Sequence, residues 1–214
     1  MTGSPGTPET GPDGGYESGY RACSCFWGTT PGSYVSLLTE TRDLSGCIAL
    51  DAGCGEGKNA AHLANGGATV DAWDISERAI QNGKALWGNV PSIRWRSCDI
   101  RATEIRERYG VVVAYGLLHC FRSETEVRDV LDRLQRATHI GGYNVLCCFN
   151  SRCHDLNGAH PSFAPLLLPH DYYASYYATW DILAVSDSDL AEVHPHEGID
   201  HVHSLTRVLA QRQR

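Results

Sequence analysis

The sequence lacks the features that place a protein in a membrane or on a nucleic acid. No apolar run approaches the roughly twenty residues of a membrane-spanning helix, and no basic and apolar signal region stands at the N-terminus. The net charge is −7, which argues against a basic patch that binds nucleic acid. We therefore expect a cytoplasmic protein, a monomer or homodimer, that acts on a small-molecule substrate and has no nucleic-acid or membrane partner.

The sequence also lacks the spacings of a disulfide framework or a zinc knuckle. It has nine cysteines, an odd number, and no two of them form a C-x-x-C pair. Most lie in apolar runs, which favours reduced thiols packed as small hydrophobic residues. A four-imidazole metal site stays open as an alternative to solvated histidines in a turn. The histidines concerned are His194, His196, His201 and His203.

The central pattern is a glycine turn between a strand and a helix. The apolar run that ends at Leu50 is followed by Asp51 and then by Gly53, Gly55 and Gly57. Glycine permits the dihedrals of a tight turn and lets a ligand approach the backbone. The spacing fits neither the G-x-G-x-x-G dinucleotide motif nor a P-loop. Because Asp51 repels phosphate and attracts a positive charge, the turn predicts a site for a cationic nucleoside.

Two further acidic residues follow predicted strands. Asp74 ends the second strand about twenty residues after the glycine turn, where a carboxylate can hold ribose hydroxyls; capping of the next helix is the alternative. Asp99 ends the third strand, where it could accept from an adenine amino group while Ile100 packs on the ring. The predicted cofactor-binding residues are Trp27, Asp51, Gly53, Gly55, Gly57, Asn59, Asp74, Ile75, Asp99, Ile100 and Tyr115.

The order of elements predicts an α/β fold with a doubly wound sheet. Five strands alternate with helices, and the fifth, 144–149, follows a turn at Gly141 and Gly142. Residues 1–15 are rich in glycine, proline and threonine and predict a disordered tail. Residues 16–44 carry many aromatic side chains and predict a helical segment that covers the core edge or forms a lid. Residues 45–214 form the predicted ligand-binding domain.

Four segments together resemble the motifs of class I S-adenosylmethionine-dependent methyltransferases, and the tellurite-resistance and thiopurine branch in particular. They are Leu50–Asn59, Ala72–Asp74, Cys98–Asp99 and Gly141–Asn144. The resemblance implies a Rossmann-like seven-stranded sheet, mostly parallel with an antiparallel last strand, and S-adenosyl-L-methionine as cofactor. It also implies that the glycines contact the methionine part, Asp74 the ribose and Asp99 the adenine.

The sequence predicts the cofactor but leaves three hypotheses for the reaction. The first hypothesis is methyl transfer to a small soluble nucleophile, with a histidine just past a strand end as base. The second is intramolecular cyclisation of the cofactor with release of methylthioadenosine, as in the azetidine-2-carboxylate synthases that resemble this family. The third and weakest is a non-catalytic metal or ligand sensor. The catalytic candidates are His119, His154, Tyr115, Asn150, Tyr177 and Ser204; the last three are polar candidates for bending the cofactor tail.

Overall fold

The computed structural model describes residues 15–154, 164–193 and 200–213 of the chain. The predicted tail, apart from Gly15, lies outside these ranges. In chain order the elements are α1 (Glu17–Ala22), α2 (Ser33–Thr41), β1 (Ile48–Ala52), α3 (Lys58–Asn65), β2 (Thr69–Asp74), α4 (Glu77–Leu86), β3 (Ile93–Ser97), β4 (Tyr109–Tyr115), a 3₁₀ turn (Leu118–Cys120), α5 (Glu124–Ala137), β5 (Thr138–His154), α6 (His170–Ser175), β6 (Asp181–Val193) and β7 (Asp200–Gln211).

The strands form one seven-stranded sheet in the order β3-β2-β1-β4-β5-β7-β6. Neighbouring strands from β3 to β5 are parallel, whereas β7 is antiparallel to both β5 and β6. The predicted fold is therefore confirmed, including the antiparallel last strand. Since the strand order reverses between β1 and β4, the loops after these two strands diverge, and a crevice opens at their carboxyl ends.

Helices cover both faces of the sheet. On one face α5 buries Val127, Val130, Leu131 and Leu134, whose helical spacing puts them on one side of the helix. On the other face α2 and α3 pack over the inner strands through residues such as Leu38. No helix in the described ranges has the length and apolarity needed to cross a bilayer.

Strand β5 begins earlier than predicted. The double glycine was expected to form a turn before residue 144, but the strand already starts at Thr138. Its register with β4 shifts after the pair of Thr138 and Tyr109, so the extra residues form an irregularity inside the strand. Gly141 lies there with φ of +79°, a conformation that glycine adopts without strain.

Gly57 is required by packing at the start of α3. Its φ is +81°, and a Cβ built on it would lie 2.2 Å from the ring of Trp95. The same ring would lie 2.7 Å from a Cβ on Gly83 in α4, so it is held between two glycines. Gly57 therefore lets β3 and α4 close against the glycine loop.

Gly57→Ala is expected to lower the free energy of unfolding by about 2 kcal/mol more than Gly46→Ala does. Both positions have positive φ, +81° and +73°, but a Cβ on Gly46 meets nothing within 4 Å. The control thus carries the backbone strain without the clash. Urea denaturation of both variants measures the difference, and equal losses would contradict the packing role.

Candidate ligand-binding cavity

A cavity of about 410 Å³ lies at the carboxyl ends of the central strands, between the sheet and the N-terminal segment. Nine of the eleven predicted cofactor-binding residues line it. They are Trp27, Gly53, Gly55, Asn59, Asp74, Ile75, Asp99, Ile100 and Tyr115. Asp51 and Gly57 do not line it. The structure therefore brings residues from five separate segments of the chain to one site.

Asp74 stands at the end of β2 and faces the cavity. One carboxylate oxygen accepts the backbone N–H of Gly55 at 2.7 Å, and the other accepts the N–H of Ser76 at 2.8 Å. Ser76 itself caps α4 by accepting the N–H of Ala79. Asp74 therefore fixes the glycine loop and the turn before α4, whereas Ser76 is the residue that caps the helix. A carboxylate has about four acceptor sites in all, so Asp74 is a residue type that can accept from a diol in the cavity.

Asp99 follows β3 and forms an ion pair with Arg101. Arg101 Nη2 lies 2.8 Å from one Asp99 oxygen, and Arg101 Nε and its backbone N–H each lie 2.9 Å from the other. These hydrogen bonds lower the pKa of Asp99 below its usual value. Arg101 also lies 3.6 Å from Glu126 of α5. Asp99 is therefore a fixed carboxylate that faces the cavity, and Arg101 is the residue that positions it.

Asp51 lies under the glycine loop, fully buried and outside the cavity wall. Its two oxygens meet no hydrogen-bond partner among the described residues. Burial raises its pKa to about 7, and the charge of Asp74 adds to the rise, while the Ala60 amide and Lys58 offset it only in part. The charge of Asp51 can favour a cationic ligand when the carboxyl is ionised, but Asp51 does not line the cavity.

The N-terminal segment closes the cavity with aromatic side chains. Trp27 donates its indole N–H to the Tyr20 hydroxyl at 3.1 Å, and Tyr16 meets the Trp27 ring edge-on with centroids 5.3 Å apart. A Cβ on Gly55 would lie 2.9 Å from the Tyr20 hydroxyl. Gly55 thus gives the aromatic segment close access to the glycine loop, and the ring faces provide the wall that suits a cation.

Glu56 anchors this aromatic segment to the loop. Its carboxylate accepts the backbone N–H groups of Cys25 at 2.8 Å and Phe26 at 2.6 Å, and the side-chain amide of Asn82 at 2.8 Å. Cys25 has φ of +67°, an unusual value for a non-glycine residue, and in this conformation both N–H groups meet the carboxylate. Glu56 is 5% exposed, so these hydrogen bonds are shielded from water.

Glu56→Gln is expected to release the aromatic segment and to weaken nucleoside binding in the cavity by about tenfold. The glutamine side chain has one acceptor oxygen, whereas three donors point at the Glu56 carboxylate. Each lost charge-assisted hydrogen bond costs about 1.5–3 kcal/mol, but the released donors regain part of this free energy by binding water. Limited proteolysis within residues 15–32 and calorimetry with S-adenosylhomocysteine measure the two effects. Glu77→Gln, at an exposed position of α4, is the matched control; an equal response of both variants would contradict the anchoring role.

A second anchor comes from the helix that follows the loop. Asn59 lines the cavity, and its side-chain oxygen accepts the backbone N–H of Gly32 at 2.8 Å. A Cβ on Gly32 would lie 2.2 Å from the ring of Tyr115, so this ring packs directly under the segment. Asn59 therefore shapes the cavity by holding its covering segment.

The His119 ring has a structural role, because it accepts a backbone hydrogen bond and stacks on an aromatic ring. It lines the cavity in the 3₁₀ turn after β4 and is 2% exposed. Its Nδ1 accepts the backbone N–H of Phe149 at 3.2 Å, and its ring stacks on Phe149 with centroids 4.0 Å apart. When Nδ1 accepts, a neutral imidazole carries its proton on Nε2. The predicted base function would require this hydrogen bond to break.

Three other catalytic candidates do not reach the cavity. Asn150 donates to Asp187 and to Thr206, and Ser204 donates to Asp189. Ser204 shares a strand face with Thr206, to which Asn150 donates, and none of these three residues lines the cavity. Tyr177 is buried in the core on the α5 side and donates its hydroxyl to Asn144 at 3.2 Å. The prediction that these side chains bend a cofactor tail is not supported by their positions.

The histidine predictions fall partly outside the described residues. The side chain of His154 and all of His194 and His196 lie there. His201 and His203 are buried on β7 with ring centroids 4.8 Å apart. Within the described ranges no three histidine, cysteine or acidic side chains are grouped as metal ligands, and all nine cysteines are free thiols.

The sequence did not indicate three residues that the structure makes important. Glu56 occupies a variable position of the glycine motif, and its partners lie about thirty residues earlier. Arg101 follows Asp99 by two residues, and nothing in the pattern distinguishes it from a surface arginine. Arg207 also lines the cavity; the only signal for it is its place among alternating buried residues of β7, Leu205 and Leu209.

Comparisons with known proteins agree with this geometry. The family model of the tellurite resistance protein TehB matches residues 30–200. The probable S-adenosyl-L-methionine-dependent methyltransferase TehB of Haemophilus influenzae is 28% identical over 166 residues, which are 74% of this chain and 54% of that protein. This chain thus spans about half the length of that curated relative.

Two solved structures share the fold. The crystal structure of TehB from Haemophilus influenzae has a TM-score of 0.71 and 22% identity, over 94% of this chain and 67% of that one. A structure from work on the conversion of a disulfide bond into a thioacetal group during echinomycin biosynthesis has a TM-score of 0.70 and 25% identity. That match covers 94% of this chain and 93% of the other.

Proposed function

Because the chain belongs to the TehB family, we propose that it is an S-adenosylmethionine-dependent methyltransferase that acts on a small nucleophile. The main support is the composition of the cavity wall. The glycine loop, Asp74 and Asp99 follow three adjacent strands and line the same cavity. The Haemophilus influenzae relative named for the same cofactor supports the proposal.

The residues present fit this cofactor. The Asp74 carboxylate faces the cavity and can accept from ribose hydroxyls, and Asp99 is fixed as an acceptor for an exocyclic amine. The wall near the glycine loop has aromatic faces, which favour a sulfonium. When bound, S-adenosylmethionine supplies a methyl group already activated by its positive sulfur.

The protein's own contribution is to align the acceptor and to exclude water. Tyr115 and Phe149 line the cavity on the β4 and β5 side and can pack against an acceptor there. Tyr20 and Trp27 line the cavity from the N-terminal segment, and their rings can help to exclude water from it. Burial raises the pKa of Tyr115 to about 12, with a smaller rise from Cys147 and a partial offset from Arg207. Tyr115 therefore stays protonated at neutral pH and can serve as a hydrogen-bond donor, not as a base.

Calorimetry and mass spectrometry test the proposal. We expect saturable binding of S-adenosylmethionine, and formation of S-adenosylhomocysteine when a fraction of small molecules is supplied as acceptor. Without an acceptor the cofactor should stay intact. Time-dependent methylthioadenosine and a ring-closed amino acid in that incubation would establish cyclisation instead. Absence of S-adenosylmethionine binding would refute both reactions.

A further inference from the structure

One wall of the cavity carries a positive charge that is not balanced by a neighbouring carboxylate. Arg207 on β7 is partly buried and lines the cavity. Within residues 15–154, 164–193 and 200–213, no ion pair involves its guanidinium. Arginine stays charged in proteins, so this charge remains in the wall at any working pH.

The Arg207 guanidinium also has a buried N–H donor, on Nε, that makes no hydrogen bond to the described residues. Its Nη1 donates to the Ser188 hydroxyl at 2.7 Å. Its Nε is shielded from water and meets no hydrogen-bond acceptor in the described part of the chain. A buried donor without an acceptor is unfavourable, and more so on a charged group. An anion that enters the cavity could compensate the charge of the guanidinium, which lines the cavity wall.

The strand register surrounds this charge with apolar side chains. Cys147 of β5 pairs with Tyr115 on one side and with Arg207 on the other, so the three lie in a row across the sheet. Phe149 and Leu205, which are paired with each other, lie two residues further toward the carboxyl end of β5 and also line the cavity. The wall therefore combines one cation with an apolar surface that includes an aromatic ring.

Arg207 lies on the side of the cavity away from the predicted nucleoside contacts. Asp74 and Asp99 follow β2 and β3, whereas β7 is separated from β1 by β4 and β5. A positive sulfonium in the cavity would repel Arg207, but an anion between them would be attracted by both. The geometry thus favours a negative group on the molecule that receives the methyl group.

We propose that the acceptor is an apolar, preferably aromatic, carboxylate, with its carboxylate on Arg207 and its body against Phe149 and Leu205. This inference rests on the proposed function, because the proposed function assigns the other half of the cavity to the cofactor. The aminocarboxylate tail of the cofactor is the other carboxylate that could bind Arg207. The test distinguishes this tail from the carboxylate of an acceptor.

The test uses benzoate and its neutral isostere benzamide as probes of the protein saturated with S-adenosylhomocysteine. We expect benzoate to bind at least about tenfold more tightly than benzamide, as a hydrogen-bonded charge pair in a partly buried site should. Arg207→Gln should abolish the preference, and Arg207→Lys should keep part of it. Arg152→Gln is the control, since Arg152 pairs with Asp187 and Asp189 outside the cavity wall.

Binding of two nucleosides decides the source of the carboxylate. If Arg207→Gln weakens S-adenosylhomocysteine but not methylthioadenosine, which lacks the aminocarboxylate tail, Arg207 serves the cofactor and the inference is overturned. Equal binding of benzoate and benzamide to a wild-type protein that binds S-adenosylhomocysteine overturns it as well and leaves the proposed function standing. A wild-type protein that binds neither nucleoside refutes the proposed function, and with it the assignment of the acceptor half.

Discussion

Asp74→Asn is expected to weaken the binding of S-adenosylmethionine and S-adenosylhomocysteine by about a hundredfold or more. The carboxylate would accept from both ribose hydroxyls, and each hydrogen bond to a charged group contributes about 1.5–3 kcal/mol. The substitution also disturbs the loop, because an amide cannot accept from both Gly55 N–H and Ser76 N–H as Asp74 does. The affinity should therefore fall through lost ligand contacts and through a less ordered glycine loop. Calorimetry measures the dissociation constants.

Asp71→Asn provides the control on the same strand. Asp71 holds Arg94 through two hydrogen bonds and accepts the Tyr109 hydroxyl at 2.9 Å, and it does not line the cavity. Its replacement should lower the stability while leaving nucleoside affinity within about threefold, since no ligand contact is lost. If a folded Asp74→Asn protein bound S-adenosylhomocysteine as well as wild type does, the ribose assignment would be wrong.

Asp51 is expected to make the ligand-free protein less stable as the pH rises. Its folded-state pKa is about 7, whereas an exposed aspartate titrates near 3.8. Between these values the folded state holds a proton that the unfolded state has lost, so stability falls as pH rises through this window and levels off above about pH 7. The loss could reach about 4 kcal/mol at pH 8, taking about 1.4 kcal/mol per unit of pKa difference.

Asp51→Asn should remove this dependence because the amide does not ionise. The variant should be more stable than wild type at about pH 8 and close to it near pH 4, as followed by urea denaturation. Asp43→Asn is the control: Asp43 is exposed, and its pKa is lowered by hydrogen bonds to Ser45, so it contributes no such loss. A parallel stability profile for wild type and Asp51→Asn would show that the Asp51 carboxyl is not the group that titrates.

The sequence was informative wherever a local rule determined the structure. Glycines at alternating positions, acids at strand ends and the apolar stripe of α5 each follow from backbone geometry or burial, and the strand order follows from the family resemblance. Asp74 and Asp99 both line the cavity because the carboxyl ends of parallel strands share one edge. Such features do not depend on where distant side chains point.

The sequence was less informative where contacts join distant segments. Asn150 and Ser204 were expected near the ligand, but neither lines the cavity, and one residue of register decides which face a strand side chain takes. Glu56 and Arg207 act through partners that are far away in the chain, so no local pattern marks them. The double glycine at Gly141 was interpreted as a turn before the strand, but in the structure it lies inside β5, where the pairing with β4 is irregular.

The position of β7 has a consequence for synthesis on the ribosome. This strand follows both β5 and β6 in the chain, yet it lies between them and pairs with each. Until β7 has emerged, β6 has no neighbour in the sheet and β5 presents an open edge, and open strand edges promote aggregation. The wall that carries Phe149, Leu205 and Arg207 also cannot exist before that moment. A nascent chain could therefore have Asp74 and Asp99 in place while the wall formed by β7 is still missing.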